Sequence, residues 1–546
     1  MMSITKLDCV VIGYNETPFL QYEKLLRQYG EDSEAYRDLK FSFVEIPGGE
    51  RVTYAGLFNE AYNRSKGHIG DEAFKSGDIP NLAAAYLTNY LRRQGLRAEY
   101  VNLFQYEKER LAEYLRSRPA CVAITTTFYV LNLPVTEMVQ FIREHAPDVP
   151  VVVGGPLVAN HVRSYQGEEL AAALRDTGAD IFVHESQGEA TLARLVRLFN
   201  NGGDLSSIGN LLYFERGQLH TTPADRENNS LDEDFIDWTG FSGQNLGPTI
   251  QTRTARSCAF SCSFCNYPTR AGKLTLAGLD TIESELDSMR ALGDVNNVVF
   301  IDDTFNVPVN RFKDICRLMI RKQYNFNWFS YFRCSNADEE CADLMAKSGC
   351  KGVFLGIESG SPTILKNMDK AATIEKYARG IHWLRDRGVV TFGSFITGFP
   401  GETEETVEET VAFIRENPPD YYRSQMWYCE PGTPIFNRRD TYGIEGEGFV
   451  WSHNTMDSME AMDHIDRMFL TIRESEWLPQ WSFDFWIIPY FLGKGLSLDR
   501  FKDFMRLANR MLAPEIASVP SREKVAMQKR TFDEIVDLVK TWNLTV

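Results

Sequence analysis

The sequence predicts an α/β protein in three parts: a doubly wound, Rossmann-like N-terminal domain, a partial (β/α)6 barrel and a mainly helical C-terminal domain. Three observations predict it. Short apolar strands alternate with amphipathic helices between about residues 80 and 199. After a polar, turn-rich stretch, a second alternation with six strand candidates begins near Thr249. Beyond Phe436 the strand pattern stops, and the tail reads as helical and rich in aromatic residues. At 546 residues the chain is too long for one compact core. The expected parts are 1–210, a linker with a small hairpin over 211–248, the barrel over 249–440 and the helical domain over 441–546.

The first strand is expected at Val10-Val11-Ile12-Gly13, followed by a long segment with turn signals at Pro47-Gly48-Gly49 and Lys66-Gly67. Leu82, Tyr86, Leu87, Tyr90 and Leu91 recur at helical spacing, and Gly95 is a helix stop. Strands are then expected at 100–104, 122–125, 149–153 and 180–183, with helices at 107–116, 135–143, 168–175 and 190–199. Such alternation implies a parallel sheet with helices on both faces. In the second run, strands are expected at 249–252, 298–301, 327–332, 352–357, 389–396 and 422–428. Helices are expected between them at 281–292, 309–321, 337–348, 373–387 and 402–415. Ligands in such sheets gather at the carboxyl ends of the strands.

Composition narrows the function. A formal net charge of -17 disfavours nucleic-acid partners, which usually call for basic faces. No apolar run suits a membrane span and the start lacks a secretory pattern, so a cytoplasmic location without a membrane partner is expected. Seven of the ten cysteines are scattered singly, as small buried apolar residues of a reducing compartment usually are.

The other three stand together in Cys258-Ala-Phe-Ser-Cys262-Ser-Phe-Cys265, directly after the first barrel strand. One loop can bring three thiolates to one metal centre. Iron–sulfur clusters normally take four, so three leave one iron open. A structural zinc site would want a fourth Cys or His nearby, and none lies close in sequence. The alternatives at this point are a cluster, a zinc site and three unrelated buried cysteines.

The C-x3-C-x2-C spacing, with Phe264 before the last Cys, resembles the signature of the radical S-adenosylmethionine (SAM) enzymes. The resemblance implies a [4Fe-4S] cluster on Cys258, Cys262 and Cys265, with SAM on the open iron and cleaved to a 5'-deoxyadenosyl radical. It also implies roles at later strand ends. Tyr267 resembles the position whose backbone contacts adenine. Asp302 and Asp303, in Ile301-Asp302-Asp303-Thr304, lie where the SAM ammonium group is expected. Arg333 ends the third strand, and Glu358 and Ser359, in Gly356-Ile357-Glu358-Ser359-Gly360, resemble the ribose-contacting motif. Gly398-Phe399-Pro400-Gly401 and Pro431-Gly432-Thr433-Pro434 also match the family.

A doubly wound domain ahead of such a barrel resembles the cobalamin-dependent class of this superfamily. By that resemblance the cobalamin contacts are Thr125, Thr126 and Thr127, then Gly154, Gly155 and Pro156, then Glu185, Ser186, Gln187, Gly188 and Glu189 at a helix start. No G-x-G-x-x-G fingerprint follows a strand, which disfavours a dinucleotide. The Asp-x-His-x-x-Gly motif that places an imidazole on cobalt is also missing. None of the eight histidines has Asp two before and Gly three after, and His68 comes nearest. Cobalamin is therefore expected base-off, with no protein His ligand.

Together these parts imply a methyltransferase in which one SAM methylates cobalt and a second supplies the adenosyl radical. Over its length the chain most resembles the phosphinothricin-type P-methyltransferases, through the opening Asp8 to Phe19 and the block Ile79-Pro80-Asn81-Leu82-Ala83-Ala84. The methylated centre is then expected to be phosphinate phosphorus or an sp3 carbon of a natural-product intermediate made for antibiotic biosynthesis. A phosphinate would need cationic donors, for which Arg253, Arg256, Arg270 and Arg423 are candidates. The expected partners are this small-molecule substrate, between the two cofactor domains under the aromatic tail, and an electron donor such as flavodoxin or ferredoxin. The alternatives are a cobalamin-assisted rearrangement or carbon methylation of a peptide or other metabolite, a transfer-RNA methylthiolase and a non-catalytic cofactor carrier. Only Cys9 and Cys121 lie in the N-terminal half, too few for a methylthiolase's second cluster.

Overall fold

The computed structural model describes residues 6–67, 73–75, 79–127, 129, 131–242, 246–481 and 483–545. His68 lies outside them. The chain forms two compact units: Met1–Thr17 with Gly77–Leu246 and Asp280–Gly293, and Pro18–Ser76 with Gly247–Leu279 and Asp294–Val546.

In the first unit, β1 (Cys9–Tyr14), β2 (Ala98–Leu103), β3 (Cys121–Thr125), β4 (Val151–Gly154) and β5 (Ile181–Val183) form a parallel sheet in the order β2-β1-β3-β4-β5. Their apolar residues are buried on both faces, with Val10, Ile12, Val122, Ile124, Val151 and Val153 in one core. Strand order reverses between β1 and β3, so a crevice is expected at their carboxyl ends. Gly13 sits against the start of the helix Leu82–Arg93: a Cβ there would come 2.7 Å from that of Asn81, the helix N-cap. The two sequence blocks that suggested the family thus meet in space.

The stretch expected as a linker begins as part of this sheet. The strands β6 (Leu211–Glu215) and β7 (Gln218–Thr221) pair antiparallel and extend it beyond β5. Apolar Leu211 and Leu212 are buried there, which a linker hairpin would leave exposed.

In the second unit, β8 (Thr249–Thr252), β9 (Asn297–Phe300), β10 (Asn327–Tyr331), β11 (Cys350–Glu358), β12 (Val390–Thr397) and β13 (Tyr421–Met426) lie parallel in sequence order. This is the expected partial barrel, with a two-residue seventh strand, β14 (Glu476–Trp477), added at the β13 edge. Alternation along β10 divides the side chains. Trp328 packs on Phe312 of the helix Val309–Lys322, while Phe329 and Tyr331 meet the tail residues Phe485 and Trp486. Phe485 also contacts Phe354 and Phe392, so the tail enters the barrel and fills its lower lumen.

Two expectations change here. Residues 18–76, first placed with the N-terminal domain, belong to the second unit. The cause is aromatic packing: Phe58 contacts Phe483, Phe491, Phe504 and Trp542. Strands also continue beyond Phe436, in a small antiparallel sheet of Glu445–Glu447, Val450–His453 and Met456–Asp457. Among the described residues, no helix is long and apolar enough to cross a membrane.

Candidate active site and cofactor-binding residues

The three cysteines lie on the loop between the short strand Ala255–Arg256 and the helix Tyr267–Ala271. The loop is held from several directions. Ser263 donates from its amide to the carbonyl of Met368 (2.8 Å) and from its hydroxyl to that of Asn367 (2.9 Å). The amide of Ile435 closes on the Ser263 carbonyl, also at 2.8 Å. Asn266 donates to Glu430 at 2.7 Å. The Pro431-Gly432-Thr433-Pro434 turn between Glu430 and Ile435 thereby buttresses the cysteine loop.

The two phenylalanines between the cysteines each face a cation. The Arg333 guanidinium lies 3.7 Å from the ring centre of Phe260, and the Lys370 ammonium 5.3 Å from that of Phe264. Lys370 also pairs with Glu358 at 2.8 Å, both side chains buried. Cys262 is buried, and Cys258 and Cys265 are half-buried. Burial pushes the Cys265 thiol up, and the backbone amide of Tyr267 opposes this. Among the described residues, no three His, Cys, Asp or Glu side chains are grouped to hold a single ion. Thiolates that each bind a different iron of a cube are not required to meet at one point, so this spacing suits a cluster better than a zinc ion.

The acids at the end of β9 divide their work. Asp302 is buried and accepts from the amides of Thr254 (2.6 Å) and Ala255 (2.8 Å) and from the Thr254 hydroxyl (2.6 Å). It ties down the root of the cysteine loop and has little capacity left for a ligand. Asp303 opens to solvent and faces the Tyr267 hydroxyl. The surrounding protein withdraws enough water to raise its carboxyl to about 6, the Tyr267 contact opposing this. Burial, then Asp303, raises the Tyr267 hydroxyl to about 12. Ser359 is fully buried against Thr410 and the amide of Ser361, a supporting position. Tyr267, Asp303, Arg333 and Glu358 thus gather around the cysteine loop, and Asp302 and Ser359 brace it. Sequence reading missed Phe260, Thr304 and Lys370. Lys370 gives no local signal, because only the fold brings it to Glu358.

At the first unit's strand ends, Thr125 and Thr126 are buried and serve the backbone. The Thr125 hydroxyl donates to the carbonyl of Gly13 (2.8 Å), and that of Thr126 to the carbonyl of Gly154 (2.8 Å). Thr127 and Gly155 are exposed, and Gly154 and Pro156 half-exposed, which leaves backbone open to a ligand. Gly155 has φ +108, and a Cβ there would lie 2.9 Å from Thr126 Oγ1. The third set is less open. The carboxylate of Glu227 caps the helix Glu189–Asn201 at the amides of Ala190 (2.8 Å) and Thr191 (2.7 Å). Gln187 is bound to Glu227 and Asn229, and Glu189 to Asn229. Gly188 is buried too, so only Glu185 and Ser186 of this set stay open to solvent. The helix start expected to receive ligand groups is thus occupied by the protein, through a contact nearly forty residues away in sequence.

The β1/β3 crevice presents Tyr14 stacked on Tyr129 (6.0 Å), whose hydroxyl lies 2.6 Å from the Asn15 amide. The strand-end rule applied to β1 points to Tyr14 and Asn15, which the sequence reading left without a role. Of the described histidines of this unit, His161 bonds Asn132 and His145 the Phe141 carbonyl, His220 is on β7, and His184 follows β5, two strands from β3.

Comparison with known proteins agrees with both halves. Residues 252–414 match the Radical SAM superfamily and residues 75–186 the B12 binding domain. An uncharacterized methyltransferase of Pyrococcus horikoshii is 28% identical over 360 residues, 64% of this chain and 75% of that protein. The anaerobic magnesium-protoporphyrin IX monomethyl ester cyclase of Rubrivivax gelatinosus is 25% identical over 421 residues, 73% of this chain and 74% of that protein. In fold, the chain is similar to the radical SAM methyltransferase TsrM of Kitasatospora setae, solved with cobalamin and a [4Fe-4S] cluster bound. The TM-score is 0.60 at 18% identity, covering 81% of this chain and 97% of that one. It is also similar to the cobalamin-dependent radical SAM enzyme OxsB, with a TM-score of 0.58 at 14% identity, covering 85% of this chain and 83% of that one. The first match spans the braced cysteine loop and most of the parallel barrel, the second spans β2 to β5 of the first unit's sheet, and the chain is a radical SAM, cobalamin-binding enzyme.

Proposed function

We propose that the enzyme methylates a carbon atom of a small metabolite, using SAM and cobalamin. The observation that carries this reading is the loop of Cys258, Cys262 and Cys265, clamped by Arg333 and Lys370 at the carboxyl ends of the barrel strands. When bound, the cluster and SAM supply a carbon radical and cobalamin carries the methyl group. The protein's part is to position and to exclude water. Arg333 and Lys370 fix the loop, Asp303 and Tyr267 offer polar groups beside it, and Phe485 seals the lumen from below. Tyr331, Phe354 and Trp486, half-buried beside Phe485, offer an aromatic surface to a substrate. TsrM has also been solved with a tryptophan substrate, which supports a small-molecule acceptor here.

Phosphinate phosphorus has less support. Arg423 is buried in an ion pair with Asp38 (3.1 Å), Arg256 is buried on a paired strand, and Arg270 is exposed on its helix. A second reading is rearrangement without methyl transfer, because the fold is about as similar to OxsB, a cobalamin-dependent radical SAM enzyme, as to the methyltransferase TsrM. We further infer base-off cobalamin without a histidine ligand, supported by the lack of an Asp-x-His-x-x-Gly motif in the sequence, and a flavodoxin- or ferredoxin-type electron donor.

Anaerobic reconstitution with methyl-labelled SAM tests the main reading. Label is expected in a small carbon-methylated product, and Cys262→Ala is expected to abolish both cluster absorbance and turnover. A product without label would replace methyl transfer by rearrangement. Full iron content in the Cys262→Ala variant would overturn the ligand assignment.

A further inference from the structure

The loop that carries Asp302 and Asp303 also carries Thr304, whose Oγ1 lies 3.2 Å from the Sγ of Cys258. A cluster-ligating sulfur is a thiolate without a proton, so in that state the hydroxyl must be the donor. Its placement is fixed from both sides. Two residues before it, Asp302 grips the Thr254 and Ala255 amides. Two residues after it, Asn306 donates to the Arg333 carbonyl and accepts from the Arg333 amide, each at 2.9 Å. The Val307 amide closes a turn on the Thr304 carbonyl at 3.2 Å. The hydroxyl is therefore held beside the sulfur before any cofactor arrives.

We propose that Thr304 is a positioning residue that sets the cluster's reduction potential by donating a hydrogen bond to the Cys258 thiolate. This rests on the cluster reading above. Reduction adds one electron from the external donor and makes the cluster and its sulfurs more negative. A hydrogen bond to sulfur stabilises that reduced form and raises the potential. The Tyr267 amide that faces Cys265 belongs to the backbone, whereas the Thr304 hydroxyl is a side-chain group that substitution can remove.

The test is a mediated redox titration, followed by electron paramagnetic resonance, on reconstituted wild type, Thr304→Val and Thr304→Ser. Iron and sulfide are quantified in each. Thr304→Val keeps the shape but lacks the donor. Its midpoint is expected to move to more negative potential, so that fewer than half of its clusters are reduced at the wild-type midpoint. Thr304→Ser is expected to titrate with wild type. A Thr304→Val protein that titrates with wild type at equal iron content overturns the proposal, as does a serine variant shifted as far as the valine one. A wild type that assembles no four-iron cluster would instead sink the underlying reading.

Discussion

Arg333 lays its guanidinium 3.7 Å from the ring centre of Phe260, the residue midway between Cys258 and Cys262. The arginine is buried, and its Nε and Nη2 meet no hydrogen-bond partner among the described residues. The ring contact stabilises by about 1–2 kcal/mol. Two unmet buried donors cost about 2–6 kcal/mol, at least as much as the contact gives. Arg333→Met is therefore expected to leave folding stability unchanged or to raise it. A ligand acceptor would lose a charged donor, so SAM affinity is expected to fall roughly 10- to 100-fold. Thermal melts and equilibrium dialysis read the two separately. A large loss of stability with unchanged SAM binding would make Arg333 a purely structural residue.

Glu358 and Lys370 form the second clamp. Glu358 adopts φ +70 at the end of β11 and reaches Lys370 at 2.8 Å, beneath Phe264. Glu358→Gln leaves a buried ammonium without its carboxylate, a loss of about 3 kcal/mol. Lys370→Met removes that ammonium, so the double variant is expected to recover much of the loss. A double-mutant cycle by chemical denaturation measures the coupling, and additive losses would show that the two charges act independently.

Glu402 gives the protein a pH dependence. Its carboxyl is fully buried beneath the Gly398-Phe399-Pro400-Gly401 turn, accepts from the Gly398 amide, and is raised by burial to about 8. The folded state thus holds the proton that the unfolded chain releases near its ordinary value of 4.5. This contribution is fully present below the unfolded value and is lost as pH rises toward 8. Over that window the wild type is expected to lose up to ~4 kcal/mol relative to Glu402→Gln. Parallel stability curves for the two proteins between pH 5 and 8 would show that Glu402 does not titrate as inferred.

These predictions draw on residues the sequence revealed unequally. Strands with continuous apolar runs, such as Val122 to Thr125, and the cysteine triplet are legible because the signal is local. The placement of residues 18–76 is not, because it depends on Phe58 finding Phe483 and Phe504 more than 400 positions away. Glu227 capping the helix at Glu189, and Lys370 reaching Glu358, are hidden for the same reason. Motif reading also treated neighbours as equivalent. Asp302 and Asp303 look alike in sequence, yet one carboxylate is spent on the Thr254 and Ala255 amides and the other faces outward.

Gly155 follows β4 with a backbone conformation that favours glycine. Its φ of +108 is accessible to glycine, and an added Cβ would press on Thr126 Oγ1, which itself bonds the Gly154 carbonyl and the Leu157 amide. Gly155→Ala therefore meets both backbone strain and a contact that cannot yield without breaking the Thr126 bridge. The expected cost is about 2–3 kcal/mol, read as a lower thermal midpoint. The same shift would move the Gly154-Gly155-Pro156 backbone at the end of β4, so cobalamin binding, followed by visible absorbance, should weaken along with it. Thr126→Ala separates the two effects. It removes the bridge but leaves Gly155 free to keep its conformation, so stability should fall while cobalamin affinity changes less than in Gly155→Ala. Equal affinities in the two variants would mean that the Gly155 backbone does not approach the cofactor.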